Sequence, residues 1–149
     1  MLTDGDRAPD FELSDHRGEP VRLSDYRGQR VVLYFYPKAD TPGCTKEACS
    51  FRDAYDAFEA QGLTVLGVST DSVDELAAFA ETYDLPFRLL ADPDGTVAQA
   101  YDSLASGALV AQRNTFVIDA EGQISAVYDG VSPEGHAEEI LREGAATEG

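Results

Sequence analysis

The chain of 149 residues is long enough for one ordinary domain and short for two, and its 43% apolar content suffices for a single core without covalent staples. With 28 acidic against 11 basic residues it carries a net charge of −17, which excludes nucleic acid as a partner, because phosphate binding needs clustered Lys and Arg. No apolar run approaches a membrane span, and the acidic start from Met1 to Asp6 lacks the basic flank and apolar stretch of a secretion signal, so a cytoplasmic protein without a membrane partner is expected.

Lys38 and Lys46 are the only lysines. An acidic surface nearly without lysine suits a protein kept soluble at multimolar salt, where repulsion between like charges is screened, and a salt-adapted source is expected on that ground.

In chain order, Phe11 to Ser14 and Val21 to Leu23 alternate around Asp15-His16-Arg17-Gly18, which predicts an N-terminal β-hairpin. Val31 to Tyr36 (VVLYFY) is a continuous apolar run halted by Pro37, as in a strand buried on both faces. The helical spacing of Ala48, Phe51, Tyr55 and Phe58 predicts one helix from about Cys44 to Ala60, with Gly62 as its stop. Leu63 to Ser69 predicts the next buried strand. Ser72 followed by Glu75 is a capping-box pattern, and Leu76, Phe79 and Tyr83 continue a second helix. A short helix is expected from Gly95 to Tyr101. Thr115 to Ile118 and Ile124 to Tyr128 predict a strand pair across Asp119-Ala120-Glu121-Gly122. A last helix is expected from Pro133 to near Arg142, followed by a frayed tail from Gly144 to Gly149.

This alternation predicts a single α/β domain over residues 1–149, with a central mixed sheet flanked by helices. A thioredoxin-like fold satisfies the order, as do other three-layer α/β folds. Cys44 stands where a buried strand hands over to a helix, the end of an open α/β sheet at which active sites collect.

The two cysteines, Cys44 and Cys49, are too few for a disulfide scaffold and read better as chemistry. Zinc would need four ligands, and neither His16 nor His136 is spaced as a partner for them. A reactive cysteine must attack as a thiolate, whereas a free thiol with a pKa of about 8.5 is mostly protonated at neutral pH. At the first turn of a helix Cys44 meets unpaired N–H groups and the positive end of the helix dipole. Pro42 and Gly43 shape that turn, with Gly43 leaving room for a substrate against the backbone. The Thr41 hydroxyl is near enough in sequence to bond the thiolate or a peroxide oxygen. Arg113, opening RNTFVID, is the candidate cation arriving from across the sheet. Five residues apart in an intact helix, two Cα atoms stand about 8–9 Å from each other, whereas a disulfide wants no more than about 7 Å. Cys44 and Cys49 therefore bond only if the first turns of the helix unwind.

The segment PKADTPGCT, from Pro37 to Thr45, resembles the peroxiredoxin active-site pattern Pro-x-x-x-Thr-x-x-Cys, and Cys49 matches the resolving cysteine of the Q type, the bacterioferritin comigratory proteins. The resemblance runs from Ala8-Pro9-Asp10-Phe11-Glu12-Leu13 to Arg113-Asn114-Thr115-Phe116-Val117-Ile118-Asp119, nearly the whole chain. It implies a thioredoxin-like fold and a hydroperoxide substrate. It also implies that Cys44 is the peroxidatic cysteine, that Thr41 and Arg113 activate it and the peroxide, and that Pro37 shields the pocket. A thioredoxin-like dithiol would reduce the Cys44–Cys49 disulfide. The implied cycle needs no cofactor, and a monomer is expected.

Other readings stay open on the residues alone. Cys49 could pack the inner face of the helix, and Glu47 could accept from the active-site arginine or be a helix-start acid favoured by the dipole. A disulfide oxidoreductase favours Cys-x-x-Cys, whereas four residues intervene here. A redox sensor using the unwinding helix and a domain with two inert thiols complete the alternatives.

Overall fold

The computed structural model describes residues 3, 5–39, 41–105, 109–128 and 137–141. The expected helix start at Pro133, its end at Arg142, His136 and the tail 144–149 lie outside the described residues. The run at Val31 becomes strand β3 (Arg30–Phe35), and Leu63–Ser69 becomes β4, its parallel neighbour in a register that pairs Tyr34 with Gly67. Both strands are apolar on both faces because both faces are covered, and every residue of β3 after Arg30 is buried.

Helix α1 (Pro42–Asp53) follows β3, α2 (Tyr55–Ala60) precedes β4, and α3 (Val73–Tyr83) follows it. The expected single helix from Cys44 to Ala60 is thus two helices, beginning two residues earlier and broken at Ala54. No glycine or proline marks the break; Ala54 alone leaves helical geometry, at φ −98° and ψ 6°, while Phe51 and Phe58 on either side both reach the core. Ser72 caps α3 with the reciprocal Glu75 bonds expected of a capping box, and Asp84 ends it in the left-handed conformation at φ 50°.

The hairpin is present as β1 (Glu12–Asp15) and β2 (Pro20–Arg22), each within a residue of its expected limits. It joins the main sheet through β5 (Arg88–Ala91), a strand absent from the sequence-based assignment. Only four residues long and two residues past Pro86, β5 offers no period to count, yet Leu89 and Leu90 are fully buried. After the short α4 (Thr96–Ala100), β6 (Thr115–Ile118) and β7 (Ile124–Tyr128) close the opposite edge with the expected limits.

The described strands form one mixed sheet in the order β2-β1-β5-β4-β3-β6-β7, parallel at its centre and antiparallel toward both edges. One face packs under α1, α2, α3 and the helical segment 137–141, around Val32, Tyr34, Tyr36, Phe51, Phe58 and Leu76. The other packs under α4, around Leu33, Phe35, Val68, Tyr101 and Phe116. This is the thioredoxin-like α/β architecture expected from the element order. None of the described helices is long and apolar enough to cross a membrane.

Candidate active site

The carboxyl end of β3 delivers the chain through Tyr36 and Pro37 to the start of α1. Thr41 is the N-cap with extended backbone, Pro42 takes the first helical position, and Cys44 falls in the first turn. Proline suits that place because its missing N–H would have had no helical acceptor. The first bond of the helix runs from the Thr45 N–H to the Thr41 carbonyl at 2.8 Å. The N–H groups of Gly43 and Cys44 precede it and have no acceptor within the helix, an arrangement suited to an anion.

Along α1 the buried residues are Cys44, Glu47, Ala48 and Phe51, the i, i+3, i+4, i+7 stripe of a helix laid on a sheet. Ala48 and Phe51 fill the core; Cys44 and Glu47, one turn apart, meet the guanidinium of Arg113. Arg113 Nη2 donates to Cys44 Sγ at 3.4 Å and Nη1 donates to Glu47 Oε1 at 2.9 Å. Cys44 is 1% exposed and Glu47 has no exposed surface. Arg113 does not open the strand, as the motif suggested; it stands two residues before β6. Its neighbour Asn114 holds it there: the Asn114 carbonyl accepts from Phe35 N–H at 2.8 Å, and its side-chain amide donates to Ser103 Oγ at 3.0 Å.

Burial pushes the Glu47 carboxyl up to about 7, with the charge and hydrogen bond of Arg113 pulling the other way. For Arg113 burial works against the charge, but Cys44 and Glu47 together hold its pKa above the ordinary value. The second Glu47 oxygen, Oε2, is buried without a hydrogen-bond partner. Of the two readings left open for Glu47, the geometry selects the arginine acceptor, since α1 has no acid in its first turn.

Thr41 is at the expected place but differently engaged. Its hydroxyl, expected to bond the thiolate or a peroxide oxygen, donates to the Lys38 carbonyl at 2.8 Å and makes no cap bond. Its lone pairs remain available as acceptors. Gly43 and Pro37 are partly buried on either side of Thr41. Cys49 lies further along α1, partly exposed, and both thiols are free. Tyr34 stacks on Phe51 at 4.5 Å and on Tyr36 at 5.4 Å, forming the floor under α1.

Sequence reasoning missed Asp71. It lies beyond β4 at the same end of the sheet and accepts from the Ala39 N–H at 2.7 Å. Its neighbourhood, Ser69-Thr70-Asp71-Ser72, reads as an ordinary strand-to-helix turn and carries no signal of that contact.

The whole is a thioredoxin-like fold with a cysteine-based redox site at the carboxyl ends of its central strands. The AhpC/TSA family model matches residues 5–127. Peroxiredoxin Q, chloroplastic, of Sedum lineare is 44% identical over 144 residues, covering 95% of this chain and 77% of that one. The crystal structure of Peroxidoxin BcpB from Mycobacterium tuberculosis superposes with a TM-score of 0.91 at 41% identity, covering 98% of each chain. The Xanthomonas campestris bacterioferritin comigratory protein, whose structure was described for its alkyl peroxide reduction activity, superposes with a TM-score of 0.87 at 33% identity, over 92% of this chain and 91% of that one. The chain belongs to the AhpC/TSA family, in its peroxiredoxin Q/Bcp branch, and is a thiol peroxidase.

Proposed function

We propose that the enzyme reduces hydrogen peroxide and organic hydroperoxides through a Cys44 sulfenic acid that Cys49 resolves as an intramolecular disulfide. The observation that carries this reading is the Arg113 guanidinium on Cys44 Sγ, at a helix start whose first N–H groups have no acceptor within the helix. The Cys44 thiolate attacks the terminal oxygen of ROOH in line; the S–O bond forms as the O–O bond breaks. The sulfur loses two electrons, and the alkoxide or hydroxide that leaves takes a proton from solvent. The amides of Gly43 and Cys44 and the Arg113 guanidinium stabilise the negative charge spreading along the breaking bond. Thr41 accepts the hydrogen of the transferred hydroxyl, and Pro37 shields the pocket from water.

The opening turns of α1 then unwind, and the Cys49 thiol displaces water from the sulfenic acid to form the disulfide. A thioredoxin-like dithiol returns both thiols by exchange. The acidic, lysine-poor composition supports a salt-adapted source, and a cytoplasmic monomer completes the reading.

The test is one equivalent of hydrogen peroxide added to the reduced protein in dilute and in multimolar potassium chloride, with free thiols and intact mass followed in time. Wild type is expected to lose both thiols far faster than free cysteine does, Cys49→Ser to halt at a sulfenic acid, and Cys44→Ser to stay inert. Wild type reacting no faster than free cysteine at either salt would sink the reading.

A further inference from the structure

The Lys38–Ala39 peptide group sits between two side chains that hold it at opposite ends. Its N–H donates to Asp71 Oδ2 at 2.7 Å, and its carbonyl accepts from the Thr41 hydroxyl at 2.8 Å. A trans peptide points these two groups in opposite directions, so fixing one end fixes the other. Asp71 is itself firmly placed. It is 5% exposed, and the same Oδ2 accepts from the hydroxyl of Ser69, which has no exposed surface, at 2.7 Å. Ser69 Oγ in turn accepts from Asp71 N–H at 3.3 Å. Lys38 Nζ approaches the other oxygen at 3.4 Å from the solvent side.

An N-cap threonine ordinarily turns its side-chain oxygen onto the free N–H groups of the first turn. Here the Thr41 hydroxyl makes no such bond, because the Lys38 carbonyl takes its proton from behind. That choice leaves the Thr41 oxygen able to accept a hydrogen bond and keeps it off the N–H groups of the first turn. If the Lys38–Ala39 peptide turned over, the carbonyl would leave Thr41 and the hydroxyl would have no reason to keep this rotamer.

We propose that Asp71 is a positioning residue for peroxide reduction: by gripping the Ala39 N–H it holds the Lys38 carbonyl against Thr41 and so sets Thr41 as a hydrogen-bond acceptor for the peroxide. This rests on the peroxidase reading above, in which Thr41 receives the hydrogen of the hydroxyl that Cys44 attacks. Asp71 touches neither the sulfur nor the substrate. Its effect belongs to peroxide, which must donate a hydrogen bond while it is attacked, and not to an electrophile that has no such proton to place.

The experiment compares two second-order rates at Cys44 in a Cys49→Ser background: oxidation by hydrogen peroxide and alkylation by iodoacetamide. Asp71→Ala is expected to slow oxidation by about tenfold or more, the scale on which small displacements of positioned groups act, with alkylation changed less than about twofold. Asp71→Asn retains an oxygen for the Ala39 N–H and is expected to recover most of the loss; it also carries the test should the alanine variant not fold, through a measurable slowing of oxidation alone. With Thr41→Val already present, either substitution at Asp71 is expected to add nothing, because Asp71 acts through Thr41. Equal slowing of oxidation and alkylation, or effects of Asp71 and Thr41 that multiply independently, would overturn the role. Rapid oxidation in the parent with no loss in either Asp71 variant would also overturn it while leaving the peroxidase reading intact. A parent that reacts with peroxide no faster than free cysteine removes both together.

Discussion

Arg113 and Glu47 form a charge-assisted pair at 2.9 Å in which the carboxylate has no exposed surface. The same guanidinium also reaches Cys44, so one cation serves two groups, and burial leaves the Glu47 carboxyl titrating at about 7. A carboxyl raised in the folded state binds its proton more tightly there than in the unfolded chain. The associated stability is therefore greatest at low pH and declines as pH rises from the ordinary glutamate value through about 7. The range corresponds to about 3 kcal/mol. Glu47→Gln removes this group's proton, so urea midpoints measured from pH 5 to 8 should show the glutamine variant gaining on wild type as pH rises. A glutamine variant that loses ground to wild type as pH rises would contradict the assignment.

The bridging role of Arg113 predicts an asymmetry between its replacements. Arg113→Ala should lower the rate of peroxide oxidation by about 10²–10³, the range for removal of a charge-stabilising donor. Arg113→Lys should recover little of this, because a single ammonium lacks the fork that meets Cys44 Sγ and Glu47 Oε1 at once. Rapid-quench measurement of thiol loss distinguishes the two, and full recovery by lysine would show that only charge matters.

The Tyr34 hydroxyl is buried without a hydrogen-bond partner beneath α1, where its ring stacks on Phe51. Burial also raises its pKa well above the ordinary tyrosine range. Tyr34→Phe removes an unsatisfied polar atom and should stabilise the protein by about 1 kcal/mol. Unwinding α1 would expose that hydroxyl to water, so the same substitution should slow closure of the Cys44–Cys49 disulfide after the sulfenic acid has formed. Mass spectrometry of quenched samples would follow the closure; an unchanged or faster rate would separate Tyr34 from the opening of α1.

With a net charge of −17, the folded chain repels itself. The Debye length falls from about 10 Å at 0.1 M salt to about 3 Å at 1 M, which screens this repulsion. The exposed ion pairs, such as Arg22–Glu12 at 2.7 Å, are worth little in stability and lose little on screening. The thermal midpoint should therefore rise from dilute buffer to multimolar potassium chloride. A midpoint that falls over that range would remove the case for salt adaptation.

Much of the molecule was legible where neighbours in sequence are also neighbours in space. The apolar run from Val31 and the Ser72/Glu75 box became a buried strand and a capped helix because period and cap chemistry are local properties. The segment from Pro37 to Cys49 marked the reactive loop for the same reason. Illegible were β5, too short for a period and held by pairing with β1 and β4, and the break at Ala54, which no breaker residue announces.

By itself the sequence determined the candidate nucleophile at the start of a helix and the alternation of strands and helices, since each rests on spacing within a few residues, and its motifs carried the family. Tertiary structure alone decided that Arg113 would bridge Cys44 and Glu47, and that Asp71 would hold the peptide behind Thr41. Those contacts join residues 69, 66 and 32 positions apart. They exist because β4 lies beside β3 on one side and β6 on the other, which brings three separate loops to one end of the sheet. Strand order is a property of the whole core, settled by which faces can be buried together, and no local pattern records it.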